Sequence, residues 1–598
     1  FGDPRLPAQY AASGNIHGSP IMLELARKFA QLPAEVQAEL RPFMIPPNEP
    51  GSWYDGLEAP PNQRLKGATA VYDRQIDVAG GRLRVLWESR FSTASQDWFR
   101  SVLAPILGGA YEDLVGLMGR GPIPHTGNTN EPLRVFLVDK GGSDWLGLTT
   151  PETFDSSLGG FPTHLQVNLR AIQERNNTLD SFTQTAAATG AHEIMHAIQF
   201  AFDTIDFGTQ ALDWLSEATA TWAEDYVYPS FNTEQVYADD YLNAPANFLD
   251  DLSGLHEYGG YLFPLFLERE VGGASTIREI WDNTEFSETL AAVVLAAGGD
   301  LYEVWPKFTA YNWNRDPLTF YQRWDGMTRA VADRVMKEPV ALTAEQQVYE
   351  MSLLGASARG PLLGVDYLAA RYYHFDLTDP SSRNVLFANG FSFELQEGTP
   401  EAAPADLTLF ATDLTPEERD GRHVYVLVKA EGEWLPDAFD VTDVAFVPFC
   451  QDYAEERVEE LVFIFSNSRW LEDDRIPLAP VGLSPRLFVS NFSCGDWVGD
   501  GAVSISTQRE GYTENTSVTL ENLFFTRSRN SREALLAGAG EFDLLGQITP
   551  YDASPIAVIS YRLATADVRW NTLINSQVGT DICTISGEGM MNASDAMP

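Results

Sequence analysis

The chain has 598 residues, 44% hydrophobic and 12% aromatic, which supplies several cores; priors of roughly 100 to 200 residues per domain divide it into three or four. Its 84 acidic against 40 basic residues give a formal charge of -44, which disfavours nucleic acid and anionic lipid as partners and fits a soluble secreted or salt-tolerant protein. No stretch is expected to reach the ~20 apolar residues of a membrane-spanning helix. The chain opens at Phe1 with no basic and apolar leader, which carries no weight against export.

Residues 1–75 read as an N-terminal arm. Pro33 starts a short helix running to about Leu40, and Pro46, Pro47, Pro50 and then Pro60 and Pro61 break the chain. Two readings stay open: a packed or linking arm, and a prosegment that covers a cleft. From Arg82 the pattern changes. Leu83, Val85 and Trp87 alternate with charged residues as a strand, a helix follows over 95–118 with interruptions at Pro105 and Gly108, 133–138 is a buried strand, and Leu165, Val167 and Leu169 alternate again. This predicts a mixed sheet with helices packed on it.

Residues 181–202 read as one helix, with Asp180 or Ser181 as its N-cap and Gln184 completing a capping-box pattern. Inside it stands His192-Glu193-Ile194-Met195-His196. Residues four apart lie on one helix face, so His192 and His196 can offer two imidazole nitrogens to one ion, while Glu193 is offset sideways, where a general base belongs. Gly190 costs roughly 1 kcal/mol against Ala in a helix, a cost that close packing against a sheet would explain. The bland alternative is a core helix with two satisfied histidines. Gln199 and Phe202 exclude the longer H-E-x-x-H-x-x-G-x-x-H pattern.

A second helical pattern over 213–225 carries Glu217 ahead of small residues, and His256-Glu257-Tyr258-Gly259 follows. Together His192-Glu193-x-x-His196, Trp214-Leu215-Ser216-Glu217-Ala218-Thr219-Ala220 and this H-x-Y-G segment resemble the gluzincin zinc peptidases, and among them a set of secreted bacterial metalloproteases. The resemblance covers roughly residues 80–330. Ala218 stands where Gly is usual, and no G-x-M-E-N segment of the aminopeptidase kind is present. The resemblance implies an α+β zincin-like domain, Zn2+ held by His192, His196 and Glu217, Glu193 as base and later proton donor, and endopeptidase action on protein or peptide. Glu224, seven residues past Glu217, reads either as a partner orienting a ligand histidine or as a solvated acid. Tyr258 and His256 are the candidates for stabilising an oxyanion, and Tyr258 equally fits an apolar stripe with Tyr261, Leu262 and Leu265.

Helices are expected on to about Asp316, and Asp239, Asp240, Asp250 and Asp251 read as solvated rather than as a calcium loop. Beyond 340 the character is β, with strands expected at 372–377, 407–411, 423–428, 461–465, 487–489, 502–506, 518–525 and 556–561. The expected organisation is an arm over 1–75, a peptidase domain over 76–335, and sandwich-like β domains over 340–485 and 486–598, cut near Pro485. Of Cys450, Cys494 and Cys583, the expected pair is Cys494 with Cys583. The sequence leaves oligomeric state open. A different class of function stays beside the peptidase: a secreted adhesin or binding protein whose metal helix is structural or inactive.

Overall fold

The computed structural model describes residues 18–54, 72–140, 145–206 and 209–331, and beyond them 363–364, 367–376, 385–392, 408–410, 421–436, 438–442, 446–449, 458–470, 482–489, 497–509, 512–525, 537–548 and 557–569. By internal contacts the chain divides into two units, Phe1–Ala332 with Tyr367–Ala369 and Ser468–Ile476, and the remainder. All three cysteines, and with them the expected disulfide, lie outside the described residues.

The first unit is mixed α/β. Helices α1 (Gly18–Lys28) and α2 (Ala34–Met44) precede β1 (Arg74–Val78) and β2 (Leu83–Trp87), joined by a turn in which Ala79, Gly80 and Gly81 all have positive φ. Then come α3 (Thr93–Trp98), α4 (Ala104–Met118), β3 (Leu133–Val138), β4 (Gly147–Pro151), β5 (Thr163–Asn168), α5 (Leu169–Arg175), α6 (Leu179–Gln199) and α7 (Gln210–Val227). Seven short helices complete it: α8 (Ala238–Leu242), α9 (His256–Gly259), α10 (Leu262–Leu267), α11 (Ser275–Asn283), α12 (Thr289–Ala296), α13 (Val304–Tyr311) and α14 (Phe320–Asp325).

The five strands form one sheet in the order β1-β2-β3-β5-β4, parallel through β2, β3 and β5 and antiparallel at both ends. Every residue of the interior strand β5 is buried; the Gln166 and Asn168 side chains are hydrogen-bonded, whereas both ring nitrogens of His164 are buried without a hydrogen-bond partner. β4 forms an edge, and it was missed in the sequence because Gly147-Leu148-Thr149-Thr150-Pro151 has no apolar alternation. One expectation is corrected. The helix Thr93–Met118, continuous through a π turn at Phe99–Leu103, is long and apolar enough by length and composition to cross a bilayer. Here Phe99, Leu103, Leu107 and Leu114 on it are buried, and it packs on β1, β2 and α6.

α6 is buried from Ala186 to Gln199 because small residues, Ala186 to Ala188 and Gly190-Ala191, let neighbours approach from all sides. Its cap lies earlier than expected: the Thr178 side chain accepts from Ser181 N–H, and Ser181 closes the capping box. The helix ends at Gln199 rather than at 202. Gly190 meets a helix, not the sheet: a Cβ there would lie 2.1 Å from Leu107 Cδ2 of α4. The glycine is therefore a point of close approach between α6 and α4.

The second unit is β throughout its described residues. One sheet joins β7 (Ala369–Asp376), β10 (Arg422–Ala430), β11 (Glu433–Trp434), β12 (Phe439–Asp440) and β14 (Val458–Asn467); another joins β6 (Leu363–Gly364), β8 (Val385–Ser392), β9 (Thr408–Phe410), β13 (Phe446–Phe449) and β15 (Gly482–Val489). Two hairpins follow, β16 (Trp497–Arg509) with β17 (Tyr512–Phe525) and β18 (Ala537–Ile548) with β19 (Ala557–Arg569). Each expected strand overlaps an observed one. The expected cut near Pro485 falls inside β15, which pairs with β8 from Gly482 to Val489, and from β16 on the described strands pair only with one another.

Candidate metal centre

Helix geometry places the first two candidates. On α6 the Nε2 atoms of His192 and His196 lie 3.1 Å apart, and across from them α7 brings Glu217 Oε2 to 3.3 Å from the first and 3.4 Å from the second. Ala218 and Ala220, beside Glu217 on α7, are fully buried, and α7 packs against α6. The three atoms form a nearly equilateral triangle. Ligands at about 2.0 to 2.1 Å on a tetrahedral ion lie about 3.3 Å from one another, so the triangle has the size of one face of such a polyhedron. Glu217 Oε2 is buried and has no hydrogen bond of ordinary geometry, as expected of an atom that faces a shared point rather than either ring.

Each imidazole is oriented from behind. Glu224 Oε1 accepts from His192 Nδ1 at 3.0 Å, and its other oxygen accepts from Thr233 Oγ1 at 3.1 Å. Glu224 is thus a buried partner of His192, not a solvated acid. Behind His196, Gln199 Nε2 donates to Ser216 O and Thr219 Oγ1, both at 3.0 Å, which turns Gln199 Oε1 towards His196 Nδ1 at 2.8 Å. A carboxylate and an amide oxygen can only accept, so both Nδ1 atoms carry hydrogen, and in the neutral rings, the form that binds a metal, both Nε2 lone pairs face the triangle.

The electrostatics calls for positive charge there. Burial works against a charged His192, yet Glu217 and Glu224 outweigh it and hold the ring up at about 10. Burial likewise pushes Glu217 up, but the imidazoles of His196 and His192 prevail and keep its carboxyl well below the usual range. Two His and one carboxylate with buried, correctly directed lone pairs fit a divalent metal of the zinc type.

Glu193 is buried beside the triangle, and burial raises its pKa. Thr149 Oγ1 on β4 lies 2.7 Å from its Oε2, and Ser19 Oγ of α1 donates to the same oxygen at 3.2 Å while accepting from Thr149 N at 3.1 Å. Gly147 leaves the room: a Cβ there would lie 2.4 Å from Glu193 Oε1. Sequence reasoning missed Ser19, Thr149 and Gly147 because they come from distant elements, whereas Gln199, three residues past His196, had a readable position.

Tyr258 is half-buried and stacks on His192 with ring centroids 5.9 Å apart and planes at 11°. Burial, then the charge of Glu217, raises its pKa well above the ordinary phenol value, so it stays a hydrogen-bond donor. His256 goes elsewhere. Its ring packs on Tyr241 at 4.7 Å, and burial lowers its pKa. Gly259 of the same segment has its Cβ position 2.5 Å from the carbonyl oxygen of Tyr237, so a side chain has no room. Of the acids read as solvated, Asp250 is buried and accepts from Tyr367 Oη at 3.1 Å.

No family model matches this chain, and neither does any curated protein or solved structure.

Proposed function

We propose that the chain is a secreted zinc-dependent endopeptidase of gluzincin type, with a zincin-like first unit and sandwich-like β domains after it. The observation that carries the reading is the triangle of His192 Nε2, His196 Nε2 and Glu217 Oε2 with Glu193 beside it, because a structural metal site has no use for a buried base. Zinc bound by these three residues would polarise the scissile carbonyl and lower the pKa of a water towards about 7.

The protein's own groups then divide the work. Glu193 takes the proton from the attacking water and hands it to the leaving amine; Thr149 and Ser19 fix which of its oxygens is engaged, and burial raises its basicity. Tyr258, held protonated against the His192 ring, donates to the oxygen on which charge develops. The buried packing of His256 favours Tyr258 over it in that role. Glu224 and Gln199 keep both rings turned to the metal. The edge strand β4 would offer main-chain groups to an extended peptide once α1, whose Ser19 occupies the Thr149 N–H, is displaced from it.

The test is metal analysis together with cleavage of a casein-type substrate. Glu193→Gln is expected to retain stoichiometric zinc while cleavage falls by at least ~10²-fold, and Glu217→Ala to lose the metal. A Glu193→Gln variant as active as the parent would rule the mechanism out.

A further inference from the structure

A second group of side chains lies outside the centre just described. Asp225 stands in the last turn of α7, Glu234 begins the 3-10 turn Glu234–Tyr237, and Asp325 is the last residue of α14. The chain separates them by up to a hundred positions, and the fold brings one carboxylate oxygen of each within 4.8 Å of the others. Asp225 is 1% exposed and Glu234 0%, and all four of their carboxylate oxygens are buried without a hydrogen-bond partner. Asp325 is anchored by Gln235, whose Nε2 donates to its Oδ2 at 2.9 Å.

Such an arrangement is expensive in isolation. A buried carboxylate with no donor loses its hydration for nothing, and each like charge beside it adds to the cost. Two of the three acids stand at helix C-terminal ends, where the backbone dipole already disfavours negative charge. No Lys, Arg or His nitrogen forms an ion pair with any of them among the described residues; Arg269, whose charge bears on Asp225, is paired with Glu268 at 3.7 Å. Burial and the neighbouring acids raise Asp225 to about 7 and Glu234 to about 9. Something positive belongs between them.

We propose that Asp225, Glu234 and Asp325 form a second metal site, distinct from the His192-His196-Glu217 centre, that takes calcium. The donor set decides the element: three hard oxygens with no imidazole or thiolate suit Ca2+, whose oxygens lie at about 2.3 to 2.6 Å and whose coordination shell tolerates irregular geometry, whereas zinc prefers nitrogen and sulfur. Oxygens on a shell of that radius are at most roughly 5 Å apart, which the observed spread satisfies. The cation would tie the end of α7 to the 3-10 turn and to α14, and so hold Glu224 and Thr233, the residues next in sequence to two of its ligands. The site does not depend on the peptidase reading.

The experiment uses the full chain, stripped of calcium with EGTA, freed of the chelator by gel filtration and reloaded with one zinc, at about 0.15 M salt to screen the acidic surface. Calcium is titrated by calorimetry, and thermal unfolding is followed with and without it. The expected result is one Ca2+ per chain and a higher Tm with calcium, with Glu234→Gln and Asp225→Asn each weakening binding at least ~10-fold, zinc content unchanged, and Asp239→Asn binding as the parent does. The two variants should have a Tm below the parent in calcium and equal to or above it in EGTA, because neutralising an unfilled acidic group removes repulsion. Absence of stoichiometric binding, or equal binding by parent and Glu234→Gln, overturns the proposal and leaves carboxyls neutralised by protons.

Discussion

His192 is gripped from two sides, by the ring of Tyr258 against its face and by Glu224 at Nδ1, and the second contact carries an energetic consequence. Removing the acceptor behind a ligand histidine typically costs 10- to 100-fold in metal affinity. Glu224→Ala is therefore expected to weaken zinc binding by about that factor, with Glu224→Gln, which keeps an acceptor oxygen, recovering part of it; equal affinities measured by competition with a chelator would leave Glu224 no orienting role. Much of this residue-level picture was legible in advance. An i, i+4 pair on a helix fixes its own geometry, so His192 and His196 could be placed from spacing, and Glu217 came from the resemblance of its segment. The burial of Glu224 was not legible, because the sequence says which face of a helix it occupies but not what covers that face. Ser19 had no signal at all: its hydrogen bond to Glu193 spans 174 positions.

Elements set the next constraints. α6 approaches α4 so closely at Gly190 that a methyl group there would overlap Leu107, whose side chain is itself fully buried. Gly190→Ala should destabilise by about 1 to 3 kcal/mol through overpacking, partly offset by roughly 1 kcal/mol of better helix propensity. The contact is tested by a cycle: Leu107→Ala alone should cost about 2 to 5 kcal/mol, and the double variant should lose less than the sum, whereas strict additivity would show that the two sites do not touch. β4 raises a different question. Its Thr149 N–H, which an incoming peptide would use, is taken by Ser19 of α1, and α1 packs along that strand. Ser19→Ala is expected to lower cleavage with zinc unchanged, since Glu193 loses one of the two hydroxyls that fix its engaged oxygen; a rise in cleavage would instead show that Ser19 acts by occupying the Thr149 N–H at the strand edge. The sequence left 1–75 open between packed arm and covering segment; in the structure α1 packs on β4 beside Glu193.

At the scale of the molecule, acids outnumber bases by more than two to one, 84 against 40. Self-repulsion on that scale opposes compactness, and exposed pairs such as Arg84 with Asp77 return little of it. Raising ionic strength from about 0.01 to 0.15 M shortens the screening length from about 30 to 8 Å. Tm should therefore rise with sodium chloride, and a fall would mean that attractive pairs outweigh the excess. The β unit was legible as a succession of strands because β-branched and aromatic runs recur there; β8 and β18 escaped because glycines interrupt them. α7 has a consequence for how this chain can change over time. It carries Glu217, Glu224 and Asp225 within little more than two turns, and each residue turns a helix by about 100°. A single codon gained or lost between 217 and 224 would swing both later carboxylates away from their neighbours at once, so this span tolerates replacement of its letters but not a change in its length.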